Sequence, residues 1–212
     1  MTSGTDSAAT AVRLNALLTL AGLEPLDSAT SARFAAYCAL LMRWNSRTNL
    51  TAIRDEEGIL SRHFLESIAC ARLLPAGIAT LLDFGSGAGF PGIPVALCRP
   101  EIAVTLAESQ NKKAAFLQEA VRMLGLTTKV HSARAETLAG HFDCVTLRAV
   151  DNMQEAIRVA STLVSPSGWL SIMTTETGLE TLREIAYLRI IEKQIFQLPG
   201  GDHRILAFAT LS

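Results

Sequence analysis

The chain lacks a charge imbalance: 19 Lys and Arg stand against 20 Asp and Glu, a formal net charge of -1 over 212 residues. No global field draws it to nucleic acid, so any such partner must be held by a local cluster of arginines. It also lacks paired cysteines. Cys38, Cys70, Cys98 and Cys144 are far apart, with no CxxC and no Cys/His pair at metal-ligand spacing. That sets aside a zinc site and a disulfide scaffold, predicts no metal, and fits a reduced, buried set in a cytoplasmic protein. Long hydrophobic runs are missing too. The stretch "VRLNALLTLAGL" resembles a signal core, but Asn15 and Thr19 interrupt it and no small-x-small cleavage site follows. Nothing approaches the roughly 20 apolar residues that span a bilayer, so no membrane partner is expected. Internal repeats are absent. What remains is 49% apolar and 18% charged, the composition of a compact soluble fold with ample core. The length predicts one principal domain with a smaller extension.

The front third reads as helix. "MTSGTDSAATA" is small and polar and is expected to fray, followed by a short amphipathic helix over Val12–Ala21. In the next helix Phe34, Tyr37, Leu41 and Trp44 recur at helical spacing, with Ser28 or Thr30 as cap. A third begins near Asp55 and carries Ile59, Leu60, Phe64 and Ile68 to its end before Pro75. From Thr80 the pattern alternates. "TLLDF", "AVTLAE", "TKVHS", "FDCVTLR" and "WLSIMT" read as strands, with helices starting near Pro91, Asn111, Asp151 and Thr177. Such βαβ alternation predicts a mostly parallel α/β sheet covered on both faces. At the end, "IIEKQIFQLP", Gly200, Gly201 and "HRILAFAT" predict a hairpin with an antiparallel last strand. Residues 1–75 are read as a helical extension and 76–212 as the main domain.

The loop "DFGSGAGFPGIP" admits several ligands. Gly87 and Gly92 have the GxxxxG spacing of a P-loop, but Ile93 and Pro94 follow where Lys and Ser/Thr are required. A dinucleotide site needs a third glycine where Phe90 stands. The spacing of Gly85, Gly87 and Gly89, with Asp83 ahead and Glu108 after the next strand, suits a nucleoside without phosphates. Glycines admit a close ligand, and a carboxylate about 20 residues on can accept both ribose hydroxyls. S-adenosylmethionine is such a ligand. A purely structural strand-to-helix turn stays open, and Pro91 suits a helix start in either case.

Together "WNSRTNLTAIRD", "RHFLES", "DFGSGAGFPGIPVAL" and "ESQNKKAAFLQ" resemble the glucose-inhibited division protein B family, guanine-N7 methyltransferases of 16S ribosomal RNA. The resemblance runs from about Arg43 to Ala149, more loosely to the end. It implies a class I S-adenosylmethionine-dependent methyltransferase fold, Rossmann-like, and transfer to a guanine in the 530 loop of 16S ribosomal RNA. The partner it implies is that RNA or the small ribosomal subunit, with the enzyme expected to be a monomer. By the resemblance Gly85 and Phe90 meet the cofactor, Glu108 lies near its ribose, and Ala135 and Glu136 meet the adenine. Arg148 lines the place where cofactor and acceptor meet, with Asn49, Arg54, Arg62 and His63 near the same mouth. Glu66 and Glu108 stand where the family usually has Asp. Thr174 and Thr175 stand where it tends to have Lys-Gly, which removes a cation.

Guanine N7 has a lone pair and no proton, so transfer to it needs positioning and electrostatics but no general base. This agrees with "TLRAV" at the end of the fourth strand, where enzymes acting on exocyclic amines carry an Asp/Asn-Pro-Pro-aromatic motif. Arg148 can donate to the acceptor edge of guanine or contact the cofactor; a plain salt bridge at a strand end is its other reading. His63 is read as near the mouth, or as a packing or solvent-facing residue. Arg43, Arg47, Arg54 and Arg62 with Trp44 form either an RNA-binding cluster or a face held by ion pairs to Asp55, Glu56, Glu57 and Glu66. Lys112 and Lys113 either flank the RNA or are plain surface. Alternatives are a methyltransferase acting on a small molecule or protein, a non-catalytic ribosome-binding relative, and, last, an NAD-dependent oxidoreductase.

Overall fold

A computed structural model describes residues 3–149, 152–197 and 203–212. Helix α1 runs Ser3–Leu20. The opening segment expected to fray is therefore helical from Ser3. Its alanines favour helix, and Thr10 is buried with its hydroxyl donating to Glu56 Oε1 at 2.6 Å, which ties this end down. Helix α2, Ser28–Thr48, is capped not by Ser28 or Thr30 but by Asp27, whose carboxylate accepts from the Thr30 N–H at 2.9 Å. It ends at Asn49, which adopts a left-handed φ of 49°.

Asp55 caps the next helical stretch, accepting from the Gly58 N–H at 2.7 Å. That stretch is not uniform. A single α-helical turn, α3 (Glu56–Gly58), passes into a π-helical turn over Ile59–Phe64 and then into α4, Leu65–Leu73. The π turn contains one more residue per hydrogen-bonded ring, as in the bond from Leu65 N–H to Leu60 C=O, and so rotates Arg62 and His63 relative to a regular helix.

The remaining elements are β1 (Thr80–Phe84), α5 (Gly92–Cys98), β2 (Ala103–Ala107), α6 (Asn111–Met123), β3 (Lys129–His131), a short 3₁₀ turn (Ala135–Thr137), β4 (Phe142–Arg148), α7 (Met153–Ser161), β5 (Val164–Thr174), α8 (Glu176–Arg183), β6 (Leu188–Gln197) and β7 (His203–Leu211). Pro91 is the residue just before α5, and the start expected near Asp151 lies outside the described residues. The sheet order is β3-β2-β1-β4-β5-β7-β6. Strands β3, β2, β1, β4 and β5 pair in parallel, and β7 is antiparallel to both β5 and β6. The expected hairpin is present, with its loop, including Gly200 and Gly201, outside the described residues. Its last strand lies inside the sheet, between β5 and the edge strand β6.

Strand alternation divides the core between the two faces. Leu81, Leu106, Leu206 and Phe208 pack with Leu14, Phe34, Tyr37, Phe64 and Phe116 on the face covered by the front helices. Leu82, Val145, Leu147, Ile172 and Ala207 pack with Ile157 and Leu182 on the other. The helical front third thus shares one hydrophobic cluster with the sheet, and that contact brings its residues over the ends of β1 and β4.

Candidate active site

The glycine loop follows β1 and is held from below. Asp83 is 1% exposed; its Oδ1 accepts from Thr146 Oγ1 at 3.0 Å and its Oδ2 from the Gly92 N–H at 3.1 Å. Burial pushes its carboxyl up to about 6, against those two hydrogen bonds. Asp83 therefore shapes the loop from underneath. Gly85, Gly87 and Gly89 have φ of 69°, 57° and 91°, a region L-residues with side chains avoid. A Cβ on Gly89 would strike Tyr37 Oη at 2.7 Å, so this glycine faces the front helices, where Tyr37 donates to the Ala88 carbonyl. A Cβ on Gly87 would meet nothing nearer than the Gly85 carbonyl at 3.9 Å, leaving its open side for a ligand.

Glu108, just past β2, reaches back to this loop. Its Oε2 accepts from the Gly87 N–H at 2.9 Å and its Oε1 from the Gln110 N–H at 2.7 Å. Each oxygen has a further acceptor site, as a pair of ribose hydroxyls requires. A groove of about 220 Å³ runs past Gly85, Glu108, Ala135 and Glu136. A second, of about 230 Å³, shares Gly85 and Glu108 with it and continues past Gly87, Phe90, Lys113, His63 and Arg148. These residues fit a nucleoside with an extended tail.

Beyond lies a third pocket, of about 520 Å³, which shares Thr51, His63, Arg148 and Ala149 with the second and is closed by Arg62, Glu66, Thr174, Thr175 and Arg204. Arg148, at the end of β4, is its hinge. Nη2 donates to the Arg62 carbonyl at 2.7 Å and to Glu66 Oε2 at 3.0 Å, and lies 3.0 Å from His63 Nδ1. The guanidinium also sits 5.7 Å from the Phe90 ring centre. Burial lowers its pKa, opposed by the Glu66 and Asp83 charges. The next residue, Ala149, has a φ of 49°, a strained conformation beside the pocket wall. Glu66 is 4% exposed; burial raises its pKa against the pull of Arg148 and Arg204, and its Oε1 lies 3.7 Å from Arg204 Nε. His63 stacks on Phe90 with ring centres 4.7 Å apart, and its Nε2 lies 2.7 Å from Thr51 Oγ1. Burial, with Arg148 and Arg62 nearby, pushes its imidazole down to about 3.

The chain has counterparts among known proteins. A family model described as GidB, rRNA small subunit methyltransferase G, matches residues 30–198. The chain belongs to this family. A protein named ribosomal RNA small subunit methyltransferase G from Stenotrophomonas maltophilia is 44% identical over 179 residues, covering 82% of this chain and 84% of the relative. One from Roseiflexus is 40% identical over 195 residues, covering 85% and 83%. In fold the chain is similar to M. jannaschii TYW2 in complex with AdoMet, at a TM-score of 0.57 and 16% identity over 72% of this chain and 78% of that one. TrmN from Thermus thermophilus gives 0.56 and 19%, over 72% and 53%. The class I methyltransferase fold and methyltransferase activity are thereby those of the GidB family, and no described helix is long and apolar enough to cross a membrane.

Not every residue expected at this GidB-family site lines it. Arg62, His63 and Lys113 do, whereas Lys112 is exposed on the first turn of α6 and lines none of the three pockets. Asn49 and Arg54 are exposed and bond to each other beside the mouth. Trp44 is not available to stack a base: its Nε1 donates to Glu119 Oε2 at 2.9 Å and its ring packs edge-on against Phe116. Arg43 pairs with the same Glu119, at 2.8 Å, and not with the acids of its own region. The salt bridge of Arg148 is real, yet it coexists with a place in two pockets. Sequence reasoning missed Thr51 as a lining residue, although it lies in a motif that carried the resemblance, and it missed Arg204 entirely. The pairing of Thr174 with Ile205 brings Arg204 to the side where Thr174 and Thr175 leave no cation.

Proposed function

We propose that this enzyme transfers a methyl group from S-adenosylmethionine to N7 of a guanine in the 530 loop of 16S ribosomal RNA. When bound, S-adenosylmethionine supplies an electrophilic methyl group. Gly85, Gly87 and Phe90 would hold it along the grooves, with Glu108 at the ribose and Ala135 and Glu136 at the adenine. Asp83 and Gly89 act on it through the shape of the loop. Arg148 bridges the grooves and the larger pocket, where its guanidinium donates to the acceptor edge of the base. Arg62, Lys113 and Arg204 contribute positive charge along the path of the RNA, and Asn49, Arg54 and Lys112 extend it outward.

The observation that carries this reading is that both groups able to take a proton in the pocket are engaged. His63 Nδ1 faces Arg148, and Glu66 is ion-paired on both sides, through an Oε2 hydrogen bond to Arg148 and by the Arg204 charge 3.7 Å from Oε1, which has no hydrogen-bond partner among the described residues. Such a site suits an acceptor that has a lone pair and no proton to lose, and catalysis then rests on orientation. The test is transfer of a labelled methyl group to small ribosomal subunits lacking the modification, with the product mapped by cleavage at N7-methylguanine. Label at one guanine N7 is the expected result; label on another atom, or none on RNA while calorimetry shows cofactor binding, would refute the acceptor.

A further inference from the structure

Thr51 stands where the cofactor groove meets the larger pocket and lines both. Its surroundings fix the direction of its hydroxyl. Arg148 Nη2 has two hydrogens and three acceptors within reach, the Arg62 carbonyl, Glu66 Oε2 and His63 Nδ1. Because a guanidinium only donates, the 3.0 Å approach favours the tautomer that turns a lone pair, not an N–H, of Nδ1 toward it. His63 is held neutral by burial and by the neighbouring Arg148 and Arg62 charges. Its one proton therefore sits on Nε2, which donates to Thr51 Oγ1 at 2.7 Å. The backbone N–H of Ile53 donates to the same oxygen at 3.2 Å. A hydroxyl has two lone pairs and one proton. With both lone pairs taken, Thr51 can meet a ligand only as a donor.

We propose that the Thr51 hydroxyl donates to O6 of the acceptor base and thereby selects guanine over adenine at the methylated position. This rests on the N7 reading above. On the edge that carries N7, guanine presents the O6 acceptor where adenine presents an amino donor. A hydroxyl without a free lone pair faces that amino group donor to donor, and both groups stay unsatisfied. O6 has two lone pairs, so Arg148 and Thr51 can both donate to it. The chain from Arg148 through His63 to Thr51 then does two things: it positions the guanidinium, and it turns an ambivalent hydroxyl into a one-way reader.

The test compares guanine with 2-aminopurine, which keeps N7 and lacks O6, at the target position of reconstituted small-subunit RNA. Transfer is measured as kcat/KM for the wild type, Thr51→Val and Thr51→Ser, with the melting temperature of each recorded. Thr51→Val should lower transfer to guanine on the order of tenfold, as for one lost hydrogen bond. Transfer to 2-aminopurine should fall much less, by only the share that comes from loosening His63, so that the guanine preference itself drops, and Thr51→Ser should restore that preference. Equal losses on both bases, or no loss on either, would overturn the proposal and leave Thr51 as a support for His63. Should the valine variant not fold, Thr51→Ala is read against the same two bases. If the wild type itself methylates no guanine N7, the underlying reading falls and this one with it; a wild type that methylates guanine without preferring it removes this proposal alone.

Discussion

Glu108 and Arg148 are the two charged residues on which the site turns, and they should fail differently. Glu108 accepts from the loop and from Gln110, at the groove that suits a ribose. Glu108→Ala is expected to weaken S-adenosylmethionine binding by tenfold or more in calorimetry, because two ribose hydroxyls lose a charged acceptor. Unchanged affinity would remove the ribose role. Arg148→Ala should lower methyl transfer far more than cofactor affinity, and it has a second effect that the sequence does not reveal. It strands Glu66, 4% exposed, without its nearest partner. Breaking a buried pair from one side costs about 3 kcal/mol or more, so the single variant should also melt earlier. Adding Glu66→Ala should recover part of the stability and none of the transfer. Recovery of transfer would mean that Arg148 serves only to neutralise Glu66.

The glycine loop and the π turn show how much of an element a sequence reveals. Gly87 and Gly92 look equivalent in the string, yet they face different things. A Cβ on Gly92 would lie 2.3 Å from Leu106 Cδ2 and 2.7 Å from Asp83 Oδ2, inside the packed joint of loop, helix and strand. Gly92→Ala should therefore destabilise the fold by about 1–3 kcal/mol in urea denaturation. Gly87→Ala meets open space and bears only the strain of its φ, about 1 kcal/mol. Its loss should appear in cofactor affinity, with stability nearly kept; the reverse ranking would show that Gly87 does not face the ligand. The strand and helix series was legible because strands buried on both faces read as short apolar runs set between turn residues, while the helices keep a 3.6-residue period. The π turn was not, because its hydrophobic residues keep helical spacing on either side. The choice between the two readings of Trp44 was not legible for a related reason: a sequence near arginines does not say that Glu119, 75 positions away, will claim the indole.

Across the whole molecule two buried titrating groups pull stability in opposite directions with pH. Asp83 has a folded pKa of about 6 against an ordinary 3.8, so the folded state holds its proton more tightly. Its contribution is full below about pH 4 and is lost as pH rises through 6. His63 is lowered to about 3 from 6.5, so its contribution is full above neutral pH and is lost as pH falls through 3. Between pH 4 and 6 the two largely offset, each being on the order of 3 kcal/mol. Denaturation at pH 7 and pH 5 should show Asp83→Asn losing ground to the wild type as pH falls, and His63→Gln gaining ground. Parallel curves would remove both assignments. The cofactor grooves are built from residues up to 149, but the larger pocket also takes Arg204, Ile205 and Leu206 from β7. That strand follows β6 in the chain, yet it must insert between β5 and β6. A growing chain can thus assemble the two smaller grooves first, and it gains the wall of the larger pocket only once β7 has been made.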